Sequence, residues 1–242
     1  MGGGEANTIT GNGVYGVIGG GSQNTNGGVL ATIGGGERNT ASGNRATIGG
    51  GFGNTASGEF SFAAGRRAKA MAKGAFVWAD SADADFTVST PNSFAVRANG
   101  GVSFRSRFFG LNQIVSWTPG KSTWDFTSDV GSKENFRAID ARGVLRRIAS
   151  LPITEWSYKG HNQRNIGPMA QDWHEAFPSL SGSDKTINSG DVQGISLVAI
   201  QGLVEELKAR DKAMAARDQT IEELKAKLQA VEQRLSSLPP AP

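Results

Sequence analysis

Residues 24–38 read NTNGGVLATIGGGER, residues 39–53 read NTASGNRATIGGGFG, and residues 54–68 read NTASGEFSFAAGRRA. These are three consecutive copies of one 15-residue unit. An earlier Asn7-Thr8 pair opens a looser copy. Ile18, Ile33 and Ile48 occupy one position of the unit, and Ala63 takes it in the last copy. Ala31-Thr32-Ile33 and Ala46-Thr47-Ile48 alternate small apolar, polar and large apolar residues, the period of a short strand with Ala and Ile on one face. The Gly triplets that follow suit turns with positive φ or close stacking of backbones. Fifteen residues make one coil of two brief strands and two turns, too small to bury its own Ile. Stacked coils bury a continuous column. The unit therefore predicts an N-terminal parallel β-solenoid over residues 1–74. Three buried Ile contribute only about 1.5–3 kcal/mol each, so a column this thin calls for neighbouring chains.

Outward from the repeat, the 242-residue chain changes character. Of its 34 Gly, 22 lie in residues 1–74. Residues 75–127 read as a β-rich connector. Phe76-Val77-Trp78 and Phe94-Ala95-Val96 alternate like half-buried strands, and Asn99-Gly100-Gly101 predicts a hairpin between Phe94–Ala98 and Val102–Phe104. The acidic run Asp80–Asp85 lacks the Gly and terminal Glu of a calcium loop and reads as a solvated turn.

Helix formers rise from about residue 128. A helix is expected over Asn135–Leu151, with Phe136, Ile139, Val144, Leu145 and Ile148 on its apolar face. Short strands are expected at Ile153–Tyr158 and Ile166–Met169, and a short helix at Ala170–Phe177. A long helix follows over about 195–236. Its heptad position a holds Ile200, Leu207, Met214, Ile221, Leu228 and Leu235. Position d holds Leu203, Arg210, Arg217, Leu224, Val231 and Leu238. That pattern predicts a coiled coil, with the two arginines fixing register or marking where helices splay. The expected fold class is mixed: an N-terminal β-roll, a β-rich connector, and a C-terminal α+β domain over 128–242 ending in the coiled coil.

Composition excludes several chemistries. The chain has no Cys and only two His, His161 and His174, so thiolate catalysis, disulfides and multi-histidine metal sites have nothing to draw on. No cofactor and no metal is expected. The net charge is only +3, so no nucleic-acid partner is expected, and no apolar run reaches the roughly 18 residues of a membrane span. No signal peptide is visible. Gly120-Lys121-Ser122 has Val115 where a phosphate-binding loop needs Gly, which excludes that motif. The connector is too short for a polysaccharide-degrading domain.

The repeats of residues 5–74 resemble the head repeats of trimeric autotransporter adhesins and related fibre proteins. That resemblance implies left-handed parallel β-rolls in a homotrimer. Ser128-Asp129, Lys133-Glu134-Asn135, Leu151-Pro152 with Trp156-Ser157-Tyr158, and Ile166-Gly167-Pro168-Met169-Ala170-Gln171 are similar, in order, to the endosialidase-type intramolecular chaperone domain. That domain stands at the C-terminus of phage tail spikes and fibres and of some bacterial surface proteins. The resemblance implies a homotrimer whose chaperone cuts itself off, with the first Ser as nucleophile and a Lys five positions later as base. Ser128 and Lys133 take those places, and Thr127–Ser128 becomes the cleaved bond. A Ser hydroxyl needs an adjacent base. A Lys serves as that base only where burial or nearby cations disfavour its charged form. The alternative is a structural trimeric fibre or adhesin whose C-terminal domain templates assembly and stays attached. A host-surface glycan or protein is a candidate ligand, with Trp78, Trp117 and Trp124 as candidate contacts. Either reading places the chain in a virion tail fibre or at a bacterial cell surface.

Overall fold

The computed structural model describes residues 2–108, 111–180 and 182–236. The chain divides into two compact units, Met1–Glu134 and Asn135–Pro242.

The first unit opens as a parallel β-solenoid of about six turns. One six-stranded sheet is built from β1 (Thr8–Ile9), β3 (Thr25–Asn26), β5 (Thr40–Ala41), β7 (Thr55–Ala56), β9 (Ala68–Ala70) and β11 (Phe86–Val88). The other is built from β2 (Val17–Ile18), β4 (Thr32–Ile33), β6 (Thr47–Phe52), β8 (Phe62–Arg66), β10 (Phe76–Ala79) and β12 (Phe94–Arg97). Ile18, Ile33, Ile48, Ala63 and Val77 stand in one register column, and all are fully buried. Ala41, Ala56 and Ala70 form the matching column of the other sheet. On the outward face of the second sheet, Phe62, Phe76 and Phe94 continue the Thr32–Thr47 column as a stack, with ring centres 4.6 and 4.8 Å apart.

A second column inside the solenoid is polar. Asn24, Asn39 and Asn54 are fully buried. Each side-chain Oδ1 accepts from the backbone N–H and the Nδ2 of the Asn one turn on, from Asn7 through Asn54, at 2.9–3.1 Å. The last Oδ1 accepts from Ala68 N at 2.8 Å. Each Nδ2 of the buried three also donates to two Gly carbonyls, those of Gly35 and Gly51 in the case of Asn39. Buried amides are tolerated here because these bonds replace the ones water would make. The repeated Asn-Thr is thus the polar half of the core.

Left-handed corners are made by residues other than glycine too. Gln23, Leu30, Arg38, Arg45, Phe60 and Arg67 all take left-handed backbone angles, with φ between 55° and 61°. The glycine triplets take positive φ as well, 92°, 91° and 105° at Gly21, Gly36 and Gly51, and they also serve close approach. A Cβ on Gly21 or Gly36 would collide with the carbonyl of the Gly one turn on.

The acidic run after β10 is tied down by arginines. Asp80 accepts from Asn99 N at 2.7 Å and from Arg97 Nε at 2.9 Å, and Asp83 and Asp85 pair with Arg66 and Arg67. The Asn99 N–H, then Arg97, hold the Asp80 carboxyl below the usual carboxylate range. Arg67 does the same for Asp85, and that pairing raises Arg67 in turn.

The expected hairpin at Asn99-Gly100-Gly101 does not form. β12 pairs in parallel with β10 instead. β13 (Val102–Phe108) pairs with β14 (Leu111–Trp117), which pairs with β15 (Asp125–Phe126), all antiparallel. The parallel ladder on β10 takes β12 in place of the local hairpin.

The second unit contains α1 (Ala141–Ser150), β16 (Thr154–Trp156) paired antiparallel with β17 (Asn165–Gly167), α2 (Ala170–Ala176), and the 48-residue α3 (Ser189–Ser236). Val144, Leu151, Trp173, Phe177, Ile195 and Ala199 form its core, with Leu145 and Ile148 packed against it. Gly202 lets α3 touch α1, since a Cβ there would strike the Ala141 carbonyl. The helix expected from Asn135 starts later. Asp140 caps it by accepting from Gly143 N at 2.9 Å, and Asn135 takes φ +58°. Phe136 and Ile139 therefore lie ahead of the helix, 70% and 60% exposed.

Candidate functional site

β15 ends beside residue 127, and three hydrogen bonds hold that residue to β14. Thr127 N donates to the Ile114 carbonyl at 3.1 Å, Thr127 Oγ1 accepts from Ile114 N at 2.9 Å, and the hydroxyl lies 3.3 Å from the Ile114 carbonyl. The chain then leaves the sheet at Ser128.

A single 3₁₀ turn, Val130–Ser132, follows at once. Asp129 caps it: its carboxylate accepts from Gly131 N at 3.2 Å, and its carbonyl accepts from Ser132 N at 3.1 Å and Ser132 Oγ at 2.8 Å. Lys133 N closes the turn onto the Val130 carbonyl. The turn reverses the chain, so the Lys133 side chain runs back to residue 128. Lys133 Nζ donates to Ser128 Oγ at 2.6 Å. Both side chains are exposed in the single chain, and Val130, Gly131 and Ser132 between them carry no charge.

The two residues that the resemblance points to are therefore in contact, next to an anchored Thr127. Asp129 was not singled out. Its signal was the Asp-Val-Gly step, in which an acidic side chain bonds the backbone two residues on. The expected seam residues Ile200, Leu203, Leu207, Met214, Ile221, Leu224, Leu228 and Val231 all lie on α3 and are between 38% and 59% exposed. The side chain of Leu235, and Leu238, lie outside the described residues. Beyond Gly202 every described side chain of α3 is exposed through Arg234. Trp117 gives its indole N–H to the Lys121 carbonyl at 2.8 Å, Trp124 packs near Phe104, and Trp78 stays partly exposed. Among the described residues no cluster of His, Asp and Glu is suited to a metal, and no helix is long and apolar enough to cross a membrane.

Residues 128–181 match the family model described as the chaperone of endosialidase. This segment is similar to the endosialidase-type chaperone domain. Its match begins on Ser128, the residue that Lys133 contacts. The matched segment thus starts one residue after the strand-anchored Thr127. The family supports an intramolecular chaperone of fibre assembly. A comparison with curated proteins finds no match to the chain.

Proposed function

We propose that the chain is a fibre segment whose chaperone domain joins three copies through α3 and then releases itself by cutting the Thr127–Ser128 bond. The reading rests on one observation above others: the 2.6 Å contact between Lys133 Nζ and Ser128 Oγ at the first residue of the family match.

The chemistry follows from the positions. A neutral Lys133 amine takes the Ser128 hydroxyl proton as Oγ attacks the Thr127 carbonyl carbon. The C–N bond to Ser128 breaks, and its nitrogen leaves with a proton supplied by the Lys133 ammonium. Residues 1–127 are then held to Ser128 as an ester. Water hydrolyses the ester to a Thr127 carboxylate and restores the Ser128 hydroxyl. The hydrogen bonds to Ile114 fix the acyl side while the nucleophile turns. Because both groups are exposed in one chain, burial by neighbouring copies is what disfavours the ammonium and starts the reaction after assembly.

The exposed length of α3 supports assembly. From residue 203 to 234 every described side chain, the apolar ones included, is exposed in the single chain. An isolated helix draws most of its stability from packing of such a face. Tethered seams raise the effective concentration of three repeats, which then fold side by side. After release the shaft persists because unfolding is slow. We place such a fibre on a phage tail or bacterial surface, with the partly exposed Trp78 and Trp124 as candidate contacts to a host glycan or protein. The exposure of the dyad also supports a second reading, in which the domain templates assembly and stays attached.

A denaturing gel of purified wild-type chain beside Ser128→Ala separates them. Two fragments from wild type and one band from the variant are expected. An intact wild-type chain that sediments as a trimer leaves the second reading.

A further inference from the structure

The seam of α3 is interrupted twice, in the same way. Counting heptads with Ile200 at a, Arg210 and Arg217 fall at d, and each is followed by Asp at e, as Arg210-Asp211 and Arg217-Asp218. All four side chains are exposed. Among the described residues they form no hydrogen bond or ion pair within the chain, whereas Glu222 and Lys225 on the same helix pair at 2.8 Å.

We infer that these four residues build two interchain ion-pair rings that set the register of parallel α3 helices, an inference that rests on the proposed assembly through α3. In a parallel bundle a d side chain enters a hole formed by the a, d, e and next a residues of the neighbouring helix. For Arg210 that hole is Leu207, Arg210, Asp211 and Met214 of a second copy. For Arg217 it is Met214, Arg217, Asp218 and Ile221. Each guanidinium arrives beside a carboxylate, which it can bind through two parallel N–H donors.

Flanking charges leave Asp211 and Asp218 no other cation across the interface. The usual g-to-e pairing sets Glu206 against Asp211, two like charges, and Ala213 against Asp218. Two heptads further the ordinary pattern returns, with Lys227 at g and Glu232 at e. The arginines complete this middle stretch in a parallel, in-register assembly. A slip of one heptad leaves one layer of arginine and one layer of aspartate unpaired. A slip of two heptads leaves all of them unpaired. Unpaired charge in a desolvated seam is strongly unfavourable, so the rings select one register from seams whose apolar a positions alone would accept several. The occupant of this face is a second copy of the chain, and the third closes the ring.

The chain has no cysteine, so Met214→Cys, at the a layer between the two rings, supplies a clean register probe. The assay uses the full chain with Ser128→Ala, so that α3 stays attached, and reads disulfide-linked dimer after mild oxidation alongside sedimentation. The parent is expected to sediment as a trimer and to crosslink readily. Adding Asp211→Lys and Asp218→Lys is expected to lower crosslinking about tenfold or more, the scale of losing close interchain charge pairs. Exchanging the charges instead (Arg210→Asp, Asp211→Arg, Arg217→Asp and Asp218→Arg together) is expected to restore it. A monomeric parent would overturn assembly through α3, and the rings with it. A trimeric parent whose charge-reversed variant crosslinks equally well would overturn the rings alone, as would failure of the exchanged variant to recover.

Discussion

Lys133 Nζ donates to Ser128 Oγ at 2.6 Å across one 3₁₀ turn. This contact needs no long-range packing to form. It is made by the Asp129 cap and the closure of Lys133 N onto Val130. A short turn can be ready before any assembly, so in the proposed mechanism what assembly adds is a dry environment. Lys133→Arg separates contact from base chemistry. Arginine keeps the donor and the charge but does not give up its proton. Cleavage is expected to fall by about 10²–10⁴-fold, the range for loss of a general base, while trimer formation persists. Quantified gel bands against time, with sedimentation of the same sample, check this.

Thr127 carries a separate prediction. Thr127→Val removes the hydroxyl that bonds both the N–H and the carbonyl of Ile114 but keeps the backbone bond at 3.1 Å. The acyl group is then held less firmly. Cleavage is expected to slow by roughly 2- to 12-fold, the equivalent of about 0.5–1.5 kcal/mol for a hydrogen bond. Thr127→Ser is expected to recover most of the rate.

Within the solenoid, Asn39→Leu leaves the Asn54 N–H without its acceptor and strips donors from the carbonyls of Gly35 and Gly51. Each orphaned buried group costs about 1–3 kcal/mol, so a loss of at least about 2 kcal/mol is expected in denaturant unfolding of the fibre segment. Thr32→Val, on the exposed face, is expected to stay within about 0.5 kcal/mol of wild type.

Acid should loosen the solenoid first near Asp80 and Asp85. Both carboxyls are held below their ordinary value, about 3.9 for a free Asp. In that range the unfolded chain binds more protons than the folded one. Their contribution is therefore complete above about pH 4 and declines as pH falls through the lowered folded values. Hydrogen exchange around β10 and β12 should rise over that acid range, and Asp80→Asn with Asp85→Asn should flatten the change.

The apolar half of the solenoid was legible because Ile18, Ile33 and Ile48 recur at one position and register follows from stacking. The polar half was visible only as an Asn-Thr marker. Nothing local says that Asn39 points inward, since the same dipeptide would suit an exposed turn. Left-handed corners at Leu30 and Arg45 ran against the preference of such residues, and the closure of each coil overrides it. Asn99-Gly100-Gly101 gave a true turn signal that the β12–β10 ladder outweighed. At the site, Ser128 and Lys133 were readable through the family resemblance, whereas the capping by Asp129 and the anchoring of Thr127 depend on a turn and a strand neighbour that the resemblance does not encode.

The central claim is that three assembled chains sever their own Thr127–Ser128 bonds. Intact-mass measurement of the wild-type protein, isolated as its sedimenting trimer, tests it most directly. The account predicts two species whose masses sum to the 25.3 kDa chain plus one water, with Ser128 as the new N-terminus. A single uncut 25.3 kDa species from that trimer, or a new terminus at another residue, would contradict it.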